Sequence, residues 1–164
     1  MSARDYDIVL FGATGFTGGL TADYLAANAP EGTRWAIAGR NRAKLDAVAA
    51  RLGGVDVLVA DATDREALAE VARRTRVVIT TVGPYLEHGE PLVGACAAAG
   101  TDYVDLTGEP EFVDRMYLAH HETAVGSGAR LVHACGFDSI PHDLGALFTV
   151  GKLPDDQPIT LRGV

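Results

Sequence analysis

An apolar run ends in Gly12-Ala13-Thr14-Gly15-Phe16-Thr17-Gly18, three glycines spaced by threes. The spacing suits a strand, a tight turn and a helix start, with first-turn N–H groups and the helix dipole facing an anion. In such a turn Gly12 takes a backbone conformation a Cβ would disfavour, Gly15 admits a ligand to the main chain, and Gly18 packs the helix on the strand. Packing alone also produces this spacing, so other positions must weigh in. Gly39-Arg40-Asn41-Arg42 follows the second apolar run, where a dinucleotide fold meets the adenosine ribose. A carboxylate there would bond a 2′-hydroxyl; Arg40 offers a forked pair of donors to a 2′-phosphate instead, which selects NADP over NAD. The alternative for Arg40 is an exposed helix-start arginine, disfavoured at a positive dipole end without an anion. Asp61-Ala62 after the third run suits an adenine edge, or Asp61 is an ordinary turn or cap residue. Val82-Gly83-Pro84 after the fourth would line the path to the nicotinamide. The expected cofactor set is thus Gly12, Thr14, Gly15, Phe16, Thr17, Gly18, Arg40, Asn41, Asp61, Ala62, Val82, Gly83 and Pro84.

Groups that could move a proton are few. The only lysines are Lys44 and Lys152, no tyrosine is followed four residues later by lysine, and no serine sits in a Gly-x-Ser-x-Gly elbow. His88, His120, His121, His133 and His142 lack metal-ligand spacing, so no metal is expected; His133 and Cys135 read as packing residues on one strand face. The block His133-Ala134-Cys135-Gly136-Phe137-Asp138-Ser139-Ile140-Pro141-His142-Asp143 gathers carboxylates, a hydroxyl and imidazoles at the ligand edge. Asp138 and Ser139 could simply cap the helix beginning near Pro141. Tyr85, Glu109, Asp138 and His142 are the candidates for proton transfer or substrate orientation.

These positions need a frame that carries each to the same edge. Short apolar runs over 6–11, 34–39, 55–60, 77–81, 102–106 and 130–134 read as strands. Helical patterns lie between them: Phe16, Leu20 and Tyr24 form one stripe, and Leu45, Val48, Ala49 and Leu52 another, opened by Asn41 as N-cap. Thr63-x-x-Glu66 reads as a capping box, Gly100 as the stop after Cys96 and Ala97, and Pro110 as the first turn of the helix with Phe112, Val113, Met116 and Tyr117. His120 continues that stripe to the helix end. Six alternations predict an α/β fold, a doubly wound parallel sheet of the NAD(P)-binding Rossmann kind. Residues 151–158 read as a polar connector and 159–164 as a strand beginning, either the start of a further domain or a segment paired to the sheet edge.

Composition narrows the classes. The 164 residues carry 22 acidic and 14 basic side chains, a net charge of −8. The one basic cluster, Arg73-Arg74-Thr75-Arg76, reads as a solvated helix end, so no nucleic-acid partner is expected. Two cysteines without Cys-x-x-Cys spacing fit a reducing compartment, and with no targeting segment or 18-residue apolar run the expectation is a cytoplasmic protein without a membrane span. Assembly into a homo-oligomer stays open.

The glycine turn, Ala38-Gly39-Arg40-Asn41, Val82-Gly83-Pro84-Tyr85, Asp105-Leu106-Thr107-Gly108-Glu109 and Gly136-Phe137-Asp138-Ser139-Ile140-Pro141 together resemble the saccharopine dehydrogenase-like oxidoreductases, most of all the bacterial trans-acting enoyl reductase branch. The resemblance covers about residues 6–149. It implies an NADP-binding Rossmann domain over 1–150, then a connector and the start of a larger α+β substrate domain over 151–164. It also implies hydride delivery from NADPH to a carbon–carbon double bond of a lipid or polyketide intermediate, a small-molecule or acyl substrate, by the full-length protein but not by this stretch alone. It assigns no catalytic residue. True saccharopine dehydrogenases differ in the last motif, so lysine-pathway activity is not implied. A non-enzymatic redox sensor of the NmrA type shares the glycine loop and the missing Tyr-x-x-x-Lys relay, but the block from Gly136 to Pro141 speaks against it.

Overall fold

The computed structural model describes residues 4–154 and 156–162. Its elements run β1 (Tyr6–Phe11), α1 (Phe16–Asn28), β2 (Trp35–Gly39), α2 (Arg42–Arg51), β3 (Asp56–Val59), α3 (Arg65–Arg74), β4 (Thr75–Thr80), α4 (Tyr85–His88), α5 (Glu90–Ala99), β5 (Asp102–Asp105), α6 (Pro110–Ser127), β6 (Leu131–Val132) and α7 (Ile140–Val150). The six strands form one sheet in the order β3-β2-β1-β4-β5-β6, and every pairing is parallel. The expected α/β doubly wound sheet is therefore present. Its order reverses between β1 and β4, which opens a crevice at the carboxyl ends of those two strands.

Strand periodicity divides the core in two. Val9, Phe11, Ala36, Ala38 and Val78 point to one face, where α3, α5 and α6 add Leu68, Val71, Val93, Cys96, Phe112 and Met116. Leu10 and Ile37 point to the other, beneath Ala22 of α1 and Leu45 and Ala49 of α2.

One helix faces the opposite way from its apolar stripe. Phe16, Leu20 and Tyr24 of α1 are 86%, 57% and 67% exposed, while Gly18 and Ala22 are buried. The glycine contact decides this. A Cβ on Gly18 would stand 2.1 Å from the Gly12 carbonyl oxygen, so α1 docks through its smallest residue. Phe16 and Leu20, two residues either side, lie about 200° around the helix.

Local chemistry corrects several ends. Asp64, not Thr63, caps α3, accepting from the Glu66 and Ala67 N–H groups at 3.1 Å, because Thr63 is engaged with Asp61. Asn41 caps α2 as expected, and Gly100 ends α5 at φ +67. Helix α6 continues past His120 to Ser127, which leaves His120 in mid-helix, 3.2 Å from Glu90 Oε1, and Tyr117 largely exposed. Ser139 is the N-cap of α7 but supplies no side-chain bond, so the capping role expected of Asp138 and Ser139 is not realised. Arg73 and Arg74 close α3 as the expected solvated helix end, in surface ion pairs with Glu70 and Asp5. Residues 159–162 join no strand; Asp155, Gly163 and Val164 lie outside the described residues. No helix among the described residues is long and apolar enough to cross a membrane.

Candidate cofactor site

At the crevice between β1 and β4 lies a cleft of about 340 Å³. Its floor is the glycine turn, and the three glycines do different work. Gly12 has φ +100, and a Cβ there would meet Thr81 Oγ1 at 2.7 Å and Val82 Cγ2 at 2.8 Å. Gly12 and Gly18 are thus demanded by packing. A Cβ on Gly15 would meet only the Gly12 carbonyl oxygen, at 3.5 Å, so Gly15 is the one that leaves room above the turn. Thr14, Gly15, Phe16 and Thr17 are exposed.

The start of α1 is built unlike its neighbours. Asn41 and Asp64 place side-chain oxygens on the first-turn N–H groups of α2 and α3. Gly15 at the N-cap of α1 supplies none, and no acidic residue stands in the first turn. Those N–H groups and the positive end of the dipole face the cleft uncompensated, which suits a phosphate.

Arg40 follows β2 at one end of the cleft, exposed and without an ion pair among the described residues, whereas Arg42 is held by Asp46 at 2.8 Å. Asn41 stands outside the cleft lining, its carboxamide oxygen accepting from the Lys44 N–H at 3.0 Å. Asp61 and Ala62 line the wall after β3. The Asp61 carboxyl lies below its ordinary range because the Thr63 N–H and hydroxyl donate to it, with the Arg40 guanidinium adding positive charge. Val82 and Gly83 line the wall after β4; Phe16, Thr17, Gly18 and Pro84 adjoin the cleft in sequence without lining it.

Six lining residues stand outside the expected set; Phe11, Gly39 and Ala60 are the last residues of apolar runs already read as strands, and the other three are Thr63, Thr81 and His88. Thr63 and Thr81 each adjoin a position already chosen, Ala62 and Val82. His88 has no such signal. It enters the cleft because α4 is a single turn that brings residue 88 back over the crevice.

The four proton-transfer candidates do not converge. Tyr85 is 4% exposed; its hydroxyl donates to the Thr80 carbonyl at 3.0 Å and accepts from the Leu106 N–H, and burial pushes the phenol up to about 12. Glu109 accepts from the Tyr85 and Leu86 N–H groups at 2.9 and 2.8 Å, capping α4 from the neighbouring loop. These two, expected as reacting groups, are therefore tied into the scaffold by hydrogen bonds. Asp138 and His142 are exposed, and no hydrogen bond joins them to Tyr85 or Glu109 among the described residues. His133 Nδ1 bonds Asp105 at 2.7 Å, and its ring packs edge-on against Tyr103 and Phe112.

The sequence matches the family described as saccharopine dehydrogenase NADP binding domain over residues 8–132. A Mycobacterium tuberculosis protein provisionally named a trans-acting enoyl reductase is 54% identical over 145 residues, 86% of this chain and 34% of that protein. The trans-acting enoyl reductase of Mycobacterium leprae is 48% identical over 159 residues, 94% of this chain and 38% of that protein. The chain thus spans about a third of the length of these curated relatives. Among solved structures, apo saccharopine dehydrogenase (L-Glu forming) from Saccharomyces cerevisiae superposes with a TM-score of 0.74 at 24% identity, over 89% of this chain and 31% of that one. Triphenylmethane reductase from Citrobacter sp., complexed with NADP(H), gives 0.59 at 20% identity over 77% of this chain and 48% of that one. These two likenesses establish the fold. With a cleft fit for a phosphate, a parallel sheet in the dinucleotide-binding order and a family match over most of its length, the chain belongs to the saccharopine dehydrogenase NADP-binding domain family, whose cofactor is NADP.

Proposed function

We propose that the chain is the NADP-binding domain of a saccharopine dehydrogenase-like oxidoreductase that reduces an enoyl group of a lipid or polyketide intermediate. The observation that carries the cofactor half is the uncapped start of α1 facing a cleft whose other end holds Arg40, exposed and without an ion pair among the described residues. On this reading the N–H groups of the turn from Gly12 to Gly18 hold the diphosphate, and Arg40 holds the 2′-phosphate. Asp61 and Ala62 border the adenine, and Val82, Gly83 and Pro84 guide the nicotinamide half toward β5. NADPH, when bound, supplies the hydride to one alkene carbon, and a proton completes the other. Asp138 and His142 remain the exposed candidates to hold that proton, while Tyr85 and Glu109 position the loops behind them. Residues 1–150 form this domain, and residues 151–164 lead toward a substrate domain, in a cytoplasmic enzyme acting on an acyl substrate. The names of the 48–54% identical relatives support the reductase reading over a non-enzymatic sensor.

Two measurements on the intact protein test this. NADPH should bind more tightly than NADH, and Arg40→Asp should erase the difference. A forked, charge-assisted pair contributes about 1.5–3 kcal/mol, or about 10- to 150-fold in affinity. Equal affinity of the unaltered protein for both cofactors would remove the Arg40 assignment. NADPH oxidation that depends on an enoyl thioester would support the reductase. Its absence across short and long acyl chains, with a cofactor-dependent protein partner instead, would favour the sensor.

A further inference from the structure

Among the described residues, the side chain with the most hydrogen bonds belongs to none of the assigned roles. Asp105, at the end of β5, is 2% exposed, and its carboxylate accepts four hydrogen bonds. Oδ2 takes the Tyr103 hydroxyl at 3.0 Å and His133 Nδ1 at 2.7 Å. Oδ1 takes the Thr107 N–H at 3.1 Å and the Ala134 N–H at 3.0 Å. Its carbonyl oxygen also accepts from the Cys135 N–H at 2.7 Å. Three of these five donors lie beyond β6, so one residue fastens the loop after β5 to the loop after β6.

The second loop is bent where it is fastened. Ala134 has φ +57, the one non-glycine residue at positive φ among the described residues. An alanine is disfavoured there, and such conformations persist where surrounding contacts over-determine them. Both its own N–H and that of Cys135 end on Asp105, and His133 before it is held by the same carboxylate. Immediately afterwards the chain passes so close to the loop after β5 that a Cβ on Gly136 would stand 3.0 Å from Leu106 Cβ. It then turns outward with Phe137 84% exposed and Asp138 exposed beside it, beyond the carboxyl ends of the strands.

We infer that Asp105 is a positioning residue: through Ala134 and His133 it sets the shape of the loop over residues 134–139, which presents Phe137 and Asp138 to the substrate. This rests on the reductase reading above for what the loop faces, but not for the loop's being held by Asp105.

The test uses two thiols in the intact protein, with alkylation of each followed by peptide mass spectrometry. Cys96 is fully buried and reports global opening; Cys135 is half-buried within the fastened loop. Asp105→Asn should raise the Cys135 rate about tenfold or more and leave Cys96 unchanged, as local opening does. His133→Phe retains the carboxylate and its charge, so a faster Cys135 there reports a loosened loop rather than a more ionised thiol. In turnover, Asp105→Asn should raise KM for the enoyl thioester about tenfold with a smaller change in kcat, while NADPH affinity stays the same. An unchanged Cys135 rate in both variants overturns the inference. So does a joint rise of Cys135 and Cys96, which would make Asp105 a matter of general stability. A released loop with unaltered KM would overturn its substrate-facing role. If the unaltered protein reduces no enoyl thioester, the reductase reading fails while the thiol rates still decide whether Asp105 holds the loop.

Discussion

Replacing the glycines of the turn one at a time should separate folding from cofactor binding. A methyl group on Gly18 would begin 2.1 Å from the Gly12 carbonyl oxygen and 2.8 Å from Thr81 Oγ1. Carbon–oxygen contacts settle at about 3.3–3.6 Å, so α1 must retreat by roughly 1.2 Å or the turn must move. Forced overpacking costs about 1–3 kcal/mol, and the gain of about 0.5–1 kcal/mol from alanine in a helix offsets only part of it. Gly19 is the internal control: a Cβ there meets only the Ala13 carbonyl oxygen, at 3.9 Å, so Gly19→Ala keeps the helical gain without the clash. The helical gain is common to both, so Gly18→Ala should be about 1–3 kcal/mol less stable than Gly19→Ala, a difference in Tm on the order of 2–12 °C. Gly15→Ala should behave differently again. Its backbone sits at φ −86 and its Cβ would make only an ordinary 3.5 Å contact, so stability falls by about 1 kcal/mol or less, the cost of alanine at an N-cap. The methyl would instead occupy the space above the turn, and NADPH affinity should fall about tenfold or more, roughly 1.4 kcal/mol. Thermal unfolding and fluorescence titration with NADPH, on the same three proteins, give both readouts. Unaltered NADPH affinity in Gly15→Ala would refute the placement of the diphosphate, and a Gly18→Ala protein melting with Gly19→Ala would refute the packing reason for that glycine.

Other perturbations follow from the hydrogen bonds around β4, β5 and β6. Tyr85→Phe should lower stability by about 1 kcal/mol, since the Thr80 carbonyl and Leu106 N–H lose their partner, yet leave kcat nearly unchanged; a fall of about 100-fold would restore Tyr85 as a proton donor. Ala134→Gly should raise stability by up to about 1 kcal/mol in denaturant titration, because glycine takes φ +57 freely, and a loss of that size would show the conformation is not strained. Burial pushes the Asp105 carboxyl up, but the bonds from His133, Thr107 N–H and Ala134 N–H outweigh it and hold the group below its ordinary value. A carboxyl lowered by folding stabilises above about pH 4, its unfolded value, and the contribution is lost as pH falls through the folded value. Acid unfolding followed by circular dichroism should accordingly be shallower below about pH 4 for Asp105→Asn than for the unaltered protein, and parallel curves would contradict the coupling.

What could be read from the chain itself is what local chemistry determines. Short runs rich in Val, Ile and Leu make strands buried on both faces, Asn41 caps because its side chain reaches Lys44 N–H, and Gly100 stops a helix because it takes positive φ. Given alternating strands and helices, right-handed crossovers leave few arrangements, so the positions after β1, β2, β3 and β4 could be assigned to one edge and eight of the expected cofactor residues do line the cleft. Decisions between non-adjacent groups lay beyond the sequence. Which face of α1 turns inward depends on the Gly18 approach to Gly12, a contact across the turn that overrides the Phe16, Leu20 and Tyr24 stripe. Whether Tyr85 and Glu109 meet a ligand or a backbone amide depends on how closely the loops after β4 and β5 come together. His88 reaches the cleft, and Asp105 reaches Ala134, only because a one-turn helix and a parallel strand pair bring residues distant in the chain within bonding range. Periodicity and caps act over four residues or fewer, whereas a buried carboxylate must find its donors wherever the packed chain supplies them, and those donors are settled by the tertiary structure.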